Sequence, residues 1–299
     1  MKKLATKPLL LDTKKDKFGL GMPFFYGWVV VAIAFVTMGI GVNARTSFSL
    51  LFPPILDEFG WSRATVAATF SIGFIVSTIL TPFIGLMMDK AGPRFVLPLG
   101  GMLASAGLIF STLSSEPWHF FITLGVLVVG GSVFMSYMGH TLFLPNWFDH
   151  RRGLAMGLAF SGAGVGAILI FPWMQHAIET NGWRYSCIII ASIILLVLVP
   201  MNILFQRHRP RDLGLEVDGG RITDQDVEKV RQASIESRVV NRDWVEIEWT
   251  ILKAMRTPNF WWLIVAFATA LYAWYAVQVH QTRYLIDIGT LPEVAALAL

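Results

Sequence analysis

One arginine lies in an otherwise apolar stretch of the chain. Arg45, in the segment GIGVNARTSF, follows a run without Asp, Glu, Lys or Arg from Phe18 to Ala44. Such a run is long enough to cross a lipid bilayer, where a charged side chain costs at least about 2.5–3.5 kcal/mol and indicates a cavity with a function. Because a guanidinium can bind a carboxylate through two parallel hydrogen bonds, Arg45 is predicted to hold an anionic substrate. The alternative is that Arg45 reaches the bilayer surface or a structural partner.

Seven uncharged polar residues on predicted helices are further candidates for lining the same cavity. Tyrosine and histidine can form hydrogen bonds into a cavity, but packing can satisfy them equally well. His140 can also take part in proton coupling, because the ordinary pKa of histidine lies near neutrality. We expect no Asp or Glu inside predicted spans one to six, so a coupled proton would need a histidine there or a carboxylate in a second half of the protein beyond this chain. The candidates are Asn43, Tyr137, His140, Tyr272, Tyr275, His280 and Gln281.

Two short polar gaps between apolar stretches share one pattern of charges and glycines. The first gap is GLMMDKAGPR and the second is HAIETNGWRY, ninety positions later. Glycine suits a tight turn that needs a left-handed backbone, and a carboxylate there can cap the next helix or pair with the arginine. Each gap is therefore predicted to be a turn between antiparallel helices. The residues concerned are Gly85, Asp89, Lys90, Gly92 and Arg94 in the first gap, and Glu179, Gly182 and Arg184 in the second.

Enzymatic motifs are missing from the sequence. It contains no P-loop, which argues against transport driven by nucleotide hydrolysis, and no HExxH metal motif. SGAGVG lies within an apolar segment with no strand before it, so it does not indicate a dinucleotide site. The single cysteine, Cys187, excludes a disulfide framework and lies in an apolar run. We therefore predict that the protein is not an enzyme and has no catalytic residue, metal ligand or cofactor.

The elements that position these residues follow from composition. The chain has 299 residues, of which 55% are hydrophobic and 15% are charged, whereas a soluble domain averages about 25% charged. Segments apolar on all sides favour helices over barrel strands, which alternate apolar and polar residues. An all-α integral membrane protein with seven spans is predicted, and an eighth span begins near Leu291. The charge-free runs are Phe18–Ala44, Ala64–Met88, Phe95–Ser115, Pro117–Phe148, Gly153–Ile178, Tyr185–Gln206 and Thr257–Thr282.

Lysine and arginine are distributed unevenly between the two sides of the predicted membrane. Twenty fall on the side of the N-terminus and three on the other side. Because basic residues favour the cytoplasmic side, the N-terminus is predicted to be cytoplasmic and the protein to lie in a plasma membrane, the inner membrane of a bacterium. The sequence pI of about 9.3 then reflects topology rather than a nucleic-acid surface. The lipid bilayer is the expected environment, and no obligate protein partner is evident.

A change of composition divides the chain into regions. A polar segment rich in Pro and Gly, starting RHRPRDLGLEVDGG, follows the sixth span, and RDWVEIEWTILKAMRTP at its end is compatible with an amphipathic surface helix. The predicted regions are a cytoplasmic tail at 1–26, a six-helix unit at 27–205, a cytoplasmic loop at 206–257 and the start of a second unit at 258–299.

The first unit contains an internal repeat of three spans. Phe70-Ser71 recurs as Phe160-Ser161 and Pro82 as Pro172, both ninety positions later, as do the charges and glycines of the two polar gaps. With an offset of ninety-one, LFxP recurs from position 51 at position 142. Because three is odd, the second copy is inverted in the membrane, an arrangement typical of secondary transporters.

GLMMDKAGPR resembles the signature G-x-x-x-D-[RK]-x-G-x-[RK] between spans two and three of the major facilitator superfamily; Pro93 is a mild departure. YGWVVVAIAF, FGWSRA, FDHRRGLAMGLAFSGAGVG and RTPNFWWL resemble the monocarboxylate transporter-like and oxalate:formate antiporter-like branch. The resemblance implies two six-helix halves with substrate between them, a basic substrate residue within about one position of Arg45, and a signature loop that latches the halves together. Alternatively, Asp89, Lys90 and Arg94 only orient the turn. It also implies that this chain is an N-terminal fragment.

The leading hypothesis is a secondary active transporter of small organic anions, in particular monocarboxylates, that works by proton symport or anion exchange. Two alternatives remain open. One is an exporter of drug-like molecules or other metabolites, and the other is a membrane sensor or scaffold derived from a carrier. The charge of the substrate separates the first two, and uptake into vesicles separates both from the third.

Overall fold

The computed structural model describes residues 25–219, Trp244, Ile247 and 249–290. Within those residues the regular structure is helical and no strand occurs. The chain divides into two compact units, Met1–Gly220 and Arg221–Leu299. The lysine-rich tail at 1–24 and the predicted eighth span at 291–299 lie outside the described residues.

Six helices in the first unit are long and apolar enough to cross a membrane, which confirms the predicted all-α membrane fold. A single helix can span about 30 Å of hydrocarbon with roughly 20 residues. The six spans, numbered in chain order, are Gly27–Phe59, Arg63–Ala91, Pro93–Ser111, Pro117–Asn146, Arg152–Asn181 and Trp183–Phe205.

Span one is longer than its charge-free run suggests. It consists of helices Gly27–Thr46 and Phe48–Phe59, which meet at Ser47, and it ends where Gly60 adopts a left-handed conformation with φ 66°. Asp57 and Glu58 therefore lie in its last turns, as Asp89 and Glu179 do in spans two and five, which corrects the inference that spans one to six contain no Asp or Glu. Charges are tolerated there because the end of a span reaches the polar surface of the bilayer.

Span four is interrupted near one end. Ser136 is extended (φ −82°, ψ −177°), and the chain resumes as a short helix at Tyr137. The carbonyl of Val133 accepts from both the hydroxyl (2.7 Å) and the backbone N–H (3.2 Å) of Ser136, so two hydrogen bonds close the turn at the break. Its segments are Pro117–Phe120, a π-helix at Phe121–Gly130, 3₁₀ turns at Val133–Met135 and Leu144–Asn146, and Tyr137–Thr141.

The packing of the spans reproduces the inverted repeat. Span one packs along span five, and span four packs along span two. The repeat makes span four the counterpart of span one and span two the counterpart of span five, so the two pairs are equivalent. Gly39 approaches the Cα atom of Gly166, and the equivalent Gly130 approaches Val76. These two contacts are related by the offsets of ninety-one and ninety found in the sequence. The three-plus-three organisation is therefore present in the fold as well as in the sequence.

Two apolar clusters stabilise opposite ends of the six-span unit. We call the end that carries Gly85–Arg94 the signature end. Its cluster includes Val30, Met88, Trp147 and Phe148, while the cluster toward the opposite end includes Phe48, Phe120 and Trp183. Spans two, five and six expose more of their apolar length than spans one, three and four. Span two presents an exposed row, Ile75, Ile79, Phe83 and Leu86.

The second unit contains two described helices. Thr250 caps Ile251–Met255 by accepting a hydrogen bond from the Lys253 amide (3.4 Å), and Pro258–Asp287 is a helix of 30 residues where the seventh span is predicted. The rings of Trp244 and Trp249 lie 4.5 Å apart. Only the five residues Ile251–Met255 of the predicted amphipathic segment form a described helix, so a surface helix along that whole segment stays a prediction.

Candidate functional site

Arg45 lies at the end of the first helix of span one, beside an aromatic ring from span two. Its side chain is half-buried, and its guanidinium carbon lies 5.4 Å from the centroid of the Phe74 ring. A cation–π contact attracts the guanidinium toward the ring without using all its N–H donors. Within the described part of the chain, Arg45 forms no ion pair. The arginine therefore retains donors that can bind an anion.

Tyr137 brings span four to the same place. It is the first residue after the break in span four, is 45% exposed and lies within electrostatic range of Arg45. Its ring contacts that of Phe160 edge-on, with centroids 5.1 Å apart. Under the repeat offset of ninety-one, Arg45 corresponds to Ser136. The two interrupted spans thus contribute equivalent points of the chain to one candidate site, in which Arg45 contacts Phe74 and Tyr137 lies nearby.

Asn43 has a different environment from the one expected of a cavity residue. It is buried, and its amide nitrogen donates to the carbonyls of Gly39 (2.7 Å) and Ala163 (2.9 Å). The bond to Ala163 ties span one to span five, the bond to Gly39 stays within span one, and together they use both amide N–H donors. The structure therefore shows Asn43 in a packing role, and its predicted contact with substrate is left out of the proposed site.

His140 is completely buried behind the break in span four. Its Nδ1 lies 2.9 Å from the carbonyl oxygen of Ser136, so Nδ1 carries the hydrogen and donates. In the neutral ring, Nε2 is then an acceptor, and it has no hydrogen-bond partner within the described residues. The ring also lies 5.5 Å from that of Phe143. In this conformation His140 is separated from solvent, so its role in proton coupling stays a prediction.

The remaining candidates for the cavity lie in the second unit. Tyr272 is on the helix Pro258–Asp287 and is 78% exposed. Tyr275, His280 and Gln281 are on the same helix, but their side chains lie outside the described part of the structure. A site that joins these residues to Arg45 therefore stays a prediction.

The signature loop is a tight turn between spans two and three. Asp89 and Lys90 are exposed in the last turn of span two, and Gly92 has φ 72° and donates its N–H to the carbonyl of Met88 (2.9 Å). Arg94 is half-buried, and its Nε has no hydrogen-bond partner in the described part of the chain. No side chain caps span three, which corrects the expectation that Asp89 does so. Gly85 faces open space on span two.

The turn between spans five and six, at the opposite end, is the repeat equivalent of the signature loop, and we call it the mirror turn. It has the same backbone conformation, but its arginine has a different charge partner from the one expected. Gly182 has φ 85°, and its N–H donates to the carbonyl of Ile178 (2.9 Å). Arg184 pairs with Glu58 (2.6 Å) and not with Glu179, whose carboxylate accepts from Gln175 (2.7 Å). No side chain caps span six, so Glu179 does not act as a cap either. Glu58 lies at the end of span one, which extends to Phe59, beyond the end of the charge-free run at Ala44.

Glu58 is in fact the centre of a polar cluster that the sequence did not reveal. Its carboxylate also accepts from the Trp183 ring N–H (2.7 Å). Arg184 in addition donates from Nε to the carbonyl of Thr112 (3.1 Å) and lies over the Trp183 ring at 4.4 Å. This cluster joins the ends of spans one and three to the start of span six.

Residues 206–219, which we call the strap, fold back against the signature end. The ring N–H of Trp147 donates to the Arg207 carbonyl (3.2 Å). The carboxylate of Asp218 accepts from the backbone N–H groups of Asp149 (3.0 Å) and His150 (2.8 Å), and the Asp218 N–H donates to the Trp147 carbonyl (3.1 Å). The strap is part of the first compact unit, although composition had indicated a linker from residue 206 onward.

The strap also reaches the signature turn. A Cβ atom at Gly92 would lie 3.3 Å from the Cβ of His208. Burial and then the neighbouring Arg94 lower the pKa of Arg207, so the two guanidinium groups are close enough to repel each other. Where the strap begins, the hydroxyl of Tyr26 donates to the carbonyl of Phe205 (2.7 Å). The strap thus contacts both connections between spans at the signature end.

We expect acid to loosen the strap. Burial and Arg209 lower the pKa of His208 from its ordinary 6.5, against the smaller opposite effects of Asp212 and Asp89. Since docking favours the neutral ring, the undocked strap binds more protons, and docking weakens as pH falls through the ordinary histidine range. A nitroxide on Arg211→Cys, with the native Cys187 buried, should become more mobile between about pH 7.5 and about pH 5.5. The change should vanish in His208→Gln; its persistence there would contradict this assignment.

Comparisons with known proteins match most of the chain. A sequence profile of the Major Facilitator Superfamily matches residues 29–298. Monocarboxylate transporter 11 of Homo sapiens is 33% identical over 172 residues, covering 57% of this chain and 36% of that protein. Monocarboxylate transporter 14 of Homo sapiens is 28% identical over 221 residues, covering 73% of this chain and 43% of that protein.

A bacterial relative gives a similar match. The uncharacterized MFS-type transporter YcxA of Bacillus subtilis (strain 168) is 29% identical over 186 residues, covering 61% of this chain and 45% of that protein. The chain therefore spans less than half the length of these three relatives.

Proposed function

Because the chain belongs to the major facilitator superfamily, we propose that it provides the anion-binding unit of a secondary active carrier for small organic anions, in particular monocarboxylates. The observation that carries the proposal is Arg45, a half-buried guanidinium inside a membrane span that keeps hydrogen-bond donors for a ligand. Two of the relatives are named monocarboxylate transporters, which supports a carboxylate as the ligand. The carboxylate accepts two N–H groups of Arg45, and Tyr137 donates from the neighbouring span.

The exposed spans support an alternating-access mechanism. Spans two and five expose apolar faces along the six-span unit, and exposed apolar surface of this extent fits lipid or another helical unit. We propose that a second helical unit packs there and rocks against this one, with the signature end in the cytoplasm. Arg45 then faces first one side of the membrane and then the other.

The coupling of transport to a second solute is the next part of the proposal. Either a proton enters with the anion, or a second anion leaves in exchange. His140 supports the first option, because its buried Nε2 is an acceptor without a partner within the described residues. The carrier would have to change conformation before a proton could reach it, since the ring is fully buried here.

Uptake by proteoliposomes tests the proposed function. The complete gene product should accumulate a labelled monocarboxylate in a saturable manner, either with an inward proton gradient or in exchange for anion loaded inside. Uptake of a cationic drug in place of the carboxylate would favour an exporter. Tight binding of carboxylate without any flux would favour a sensor.

The signature loop provides a prediction about turnover. Asp89→Asn or Arg94→Ala should slow transport several-fold while the half-saturation concentration changes little, because the loop is separated from Arg45 and biases the inward and outward states without touching the ligand. Initial rates over a range of substrate concentrations measure both quantities. An unchanged maximal rate together with a raised half-saturation concentration would show that these residues bind substrate instead.

A further inference from the structure

The inverted repeat places two equivalent turns at opposite ends of the unit, and their surroundings differ. Gly92 and Gly182 have similar positive φ values and the same capping hydrogen bond. A Cβ atom at Gly182 would meet nothing within 4 Å, whereas one at Gly92 would lie against His208 of the strap. The signature turn therefore has a neighbour that its mirror image lacks.

The charged residues at the two ends differ in the same way. At the opposite end, Arg184 and Glu58 form an ion pair. The repeat offsets make Arg94 and Asp149 their counterparts at the signature end, and the described residues include no ion pair between these two. The strap lies there instead, with the Asp218 carboxylate bonded to the Asp149 N–H and the guanidinium of Arg207 near that of Arg94.

The strap has the properties of a built element rather than of a passive linker. Its first two residues, Gln206 and Arg207, are almost fully buried. Asp218 adopts φ 59°, a left-handed conformation that Asp tolerates better than most residues, and its N–H and its carboxylate are both bonded to the connection between spans four and five. Leu213 and Leu215 pack against the apolar cluster of the signature end. These contacts fix the strap to the unit before the Gly219-Gly220 pair, after which the second unit begins.

We propose that the strap takes the place of the missing ion pair and is a positioning element for the signature loop. By clamping that loop to the connection between spans four and five, it limits how freely the loop moves. If the signature loop acts as the gate of the proposed carrier, the strap thereby sets the turnover of transport. Asp218 and the contact between His208 and Gly92 are the two attachment points.

Matched variants of Asp218 test the clamp. Asp218→Ala removes the acceptor for two backbone N–H groups, while Glu216→Ala removes an exposed carboxylate two residues away. Hydrogen exchange of amides in 206–219 and 85–96 should rise about tenfold or more in Asp218→Ala and stay unchanged in Glu216→Ala, because bonds to a charged acceptor are among the stronger hydrogen bonds. Asp218→Asn, which keeps one oxygen acceptor, should recover part of the protection. Equal exchange in the two alanine variants would overturn the proposal.

The mirror turns give a second, independent control. Gly92→Ala and Gly182→Ala impose the same backbone strain, so both should lower thermal stability, and Gly92→Ala should lower it more because its Cβ also meets His208. Only Gly92→Ala should raise exchange in the strap, since only Gly92 faces it. An equal effect of both substitutions on the strap would contradict the proposed contact.

Transport kinetics test whether the docked strap also affects turnover through the signature loop. In the complete gene product, Asp218→Ala should change the maximal rate several-fold and leave the half-saturation concentration near the wild-type value. The half-saturation concentration of Glu216→Ala should also stay near the wild-type value. Increased exchange with an unchanged rate would show a docked strap that does not position the gate, and would overturn that part of the inference. Absence of transport in the wild type would contradict the proposed function alone, because exchange still reports whether the strap is clamped.

Discussion

Replacing Arg45 with Gln is expected to weaken carboxylate binding by a factor of roughly 30 to several thousand. Truncating one partner of a buried charge pair typically costs about 2–5 kcal/mol, which corresponds to that range of affinity. Arg45→Lys should lie between Gln and the wild type, because lysine keeps the charge but loses the planar fork that matches a carboxylate. Equilibrium binding of a labelled monocarboxylate to the purified protein measures the series.

A matched arginine variant controls for the loss of positive charge. Arg63 is exposed at the start of span two, and Arg63→Gln should bind carboxylate like the wild type. Thermal unfolding of each variant shows whether the fold is retained. Normal binding by folded Arg45→Gln would assign Arg45 to a structural role beside Phe74 and would favour the exporter hypothesis.

The second large effect is expected where span one meets span five. A Cβ atom at Gly162 would overlap the carbonyl oxygen of Phe35, and one at Gly166 would overlap that of Gly39. Gly162→Ala should therefore force the two helices apart and destabilise the unit by about 1–3 kcal/mol or more, since overpacking an interior typically costs that much. The loss should appear as a lower midpoint of thermal unfolding in detergent.

Gly164 provides the control within the same helix. It is exposed and a Cβ atom there would meet nothing within 4 Å, so Gly164→Ala should be neutral or stabilise the protein by up to about 1 kcal/mol through helix propensity. Destabilisation of the same size by both substitutions would mean that the close contact between spans one and five is not formed.

The sequence predicted those features that depend on local pattern. Charge-free runs located the six spans of the first unit, because a membrane span must be apolar along most of its length. The repeat and the two glycine turns were visible because inverted copies keep short motifs at a fixed offset, and the positive φ values at Gly92 and Gly182 agree with them. The signature loop indicated the family, which the profile match confirms.

The features that were missed depend on contacts between distant parts of the chain. Arg184 lies near Glu179 in sequence but pairs with Glu58, which the fold brings to the same end of the unit. Asn43 was predicted to line the cavity because it is a polar residue near Arg45 on the same helix, yet its donors are used by the carbonyls of Gly39 and Ala163. A one-dimensional pattern does not show which carbonyl will face a buried amide.

The strap was missed for a related reason. Pro, Gly and charged residues are typical of linkers, and RHRPRDLGLEVDGG has that composition. Its order comes from partners at other positions, such as Trp147 and the backbone N–H groups of Asp149 and His150. The composition of a segment gives no information about partners elsewhere in the chain.

The most direct test of the anion site compares a carboxylate with its amide, which has a similar shape and no charge, in the wild type and in Arg45→Gln. The wild type is predicted to prefer the acid by a factor of roughly 30 or more, and Arg45→Gln is predicted to lose that preference, because the charge of the ligand and the guanidinium act together. Amide and acid bound equally well by the wild type, or a preference for the acid that is unchanged in folded Arg45→Gln, would contradict the assignment of Arg45 as the ligand of the transported anion.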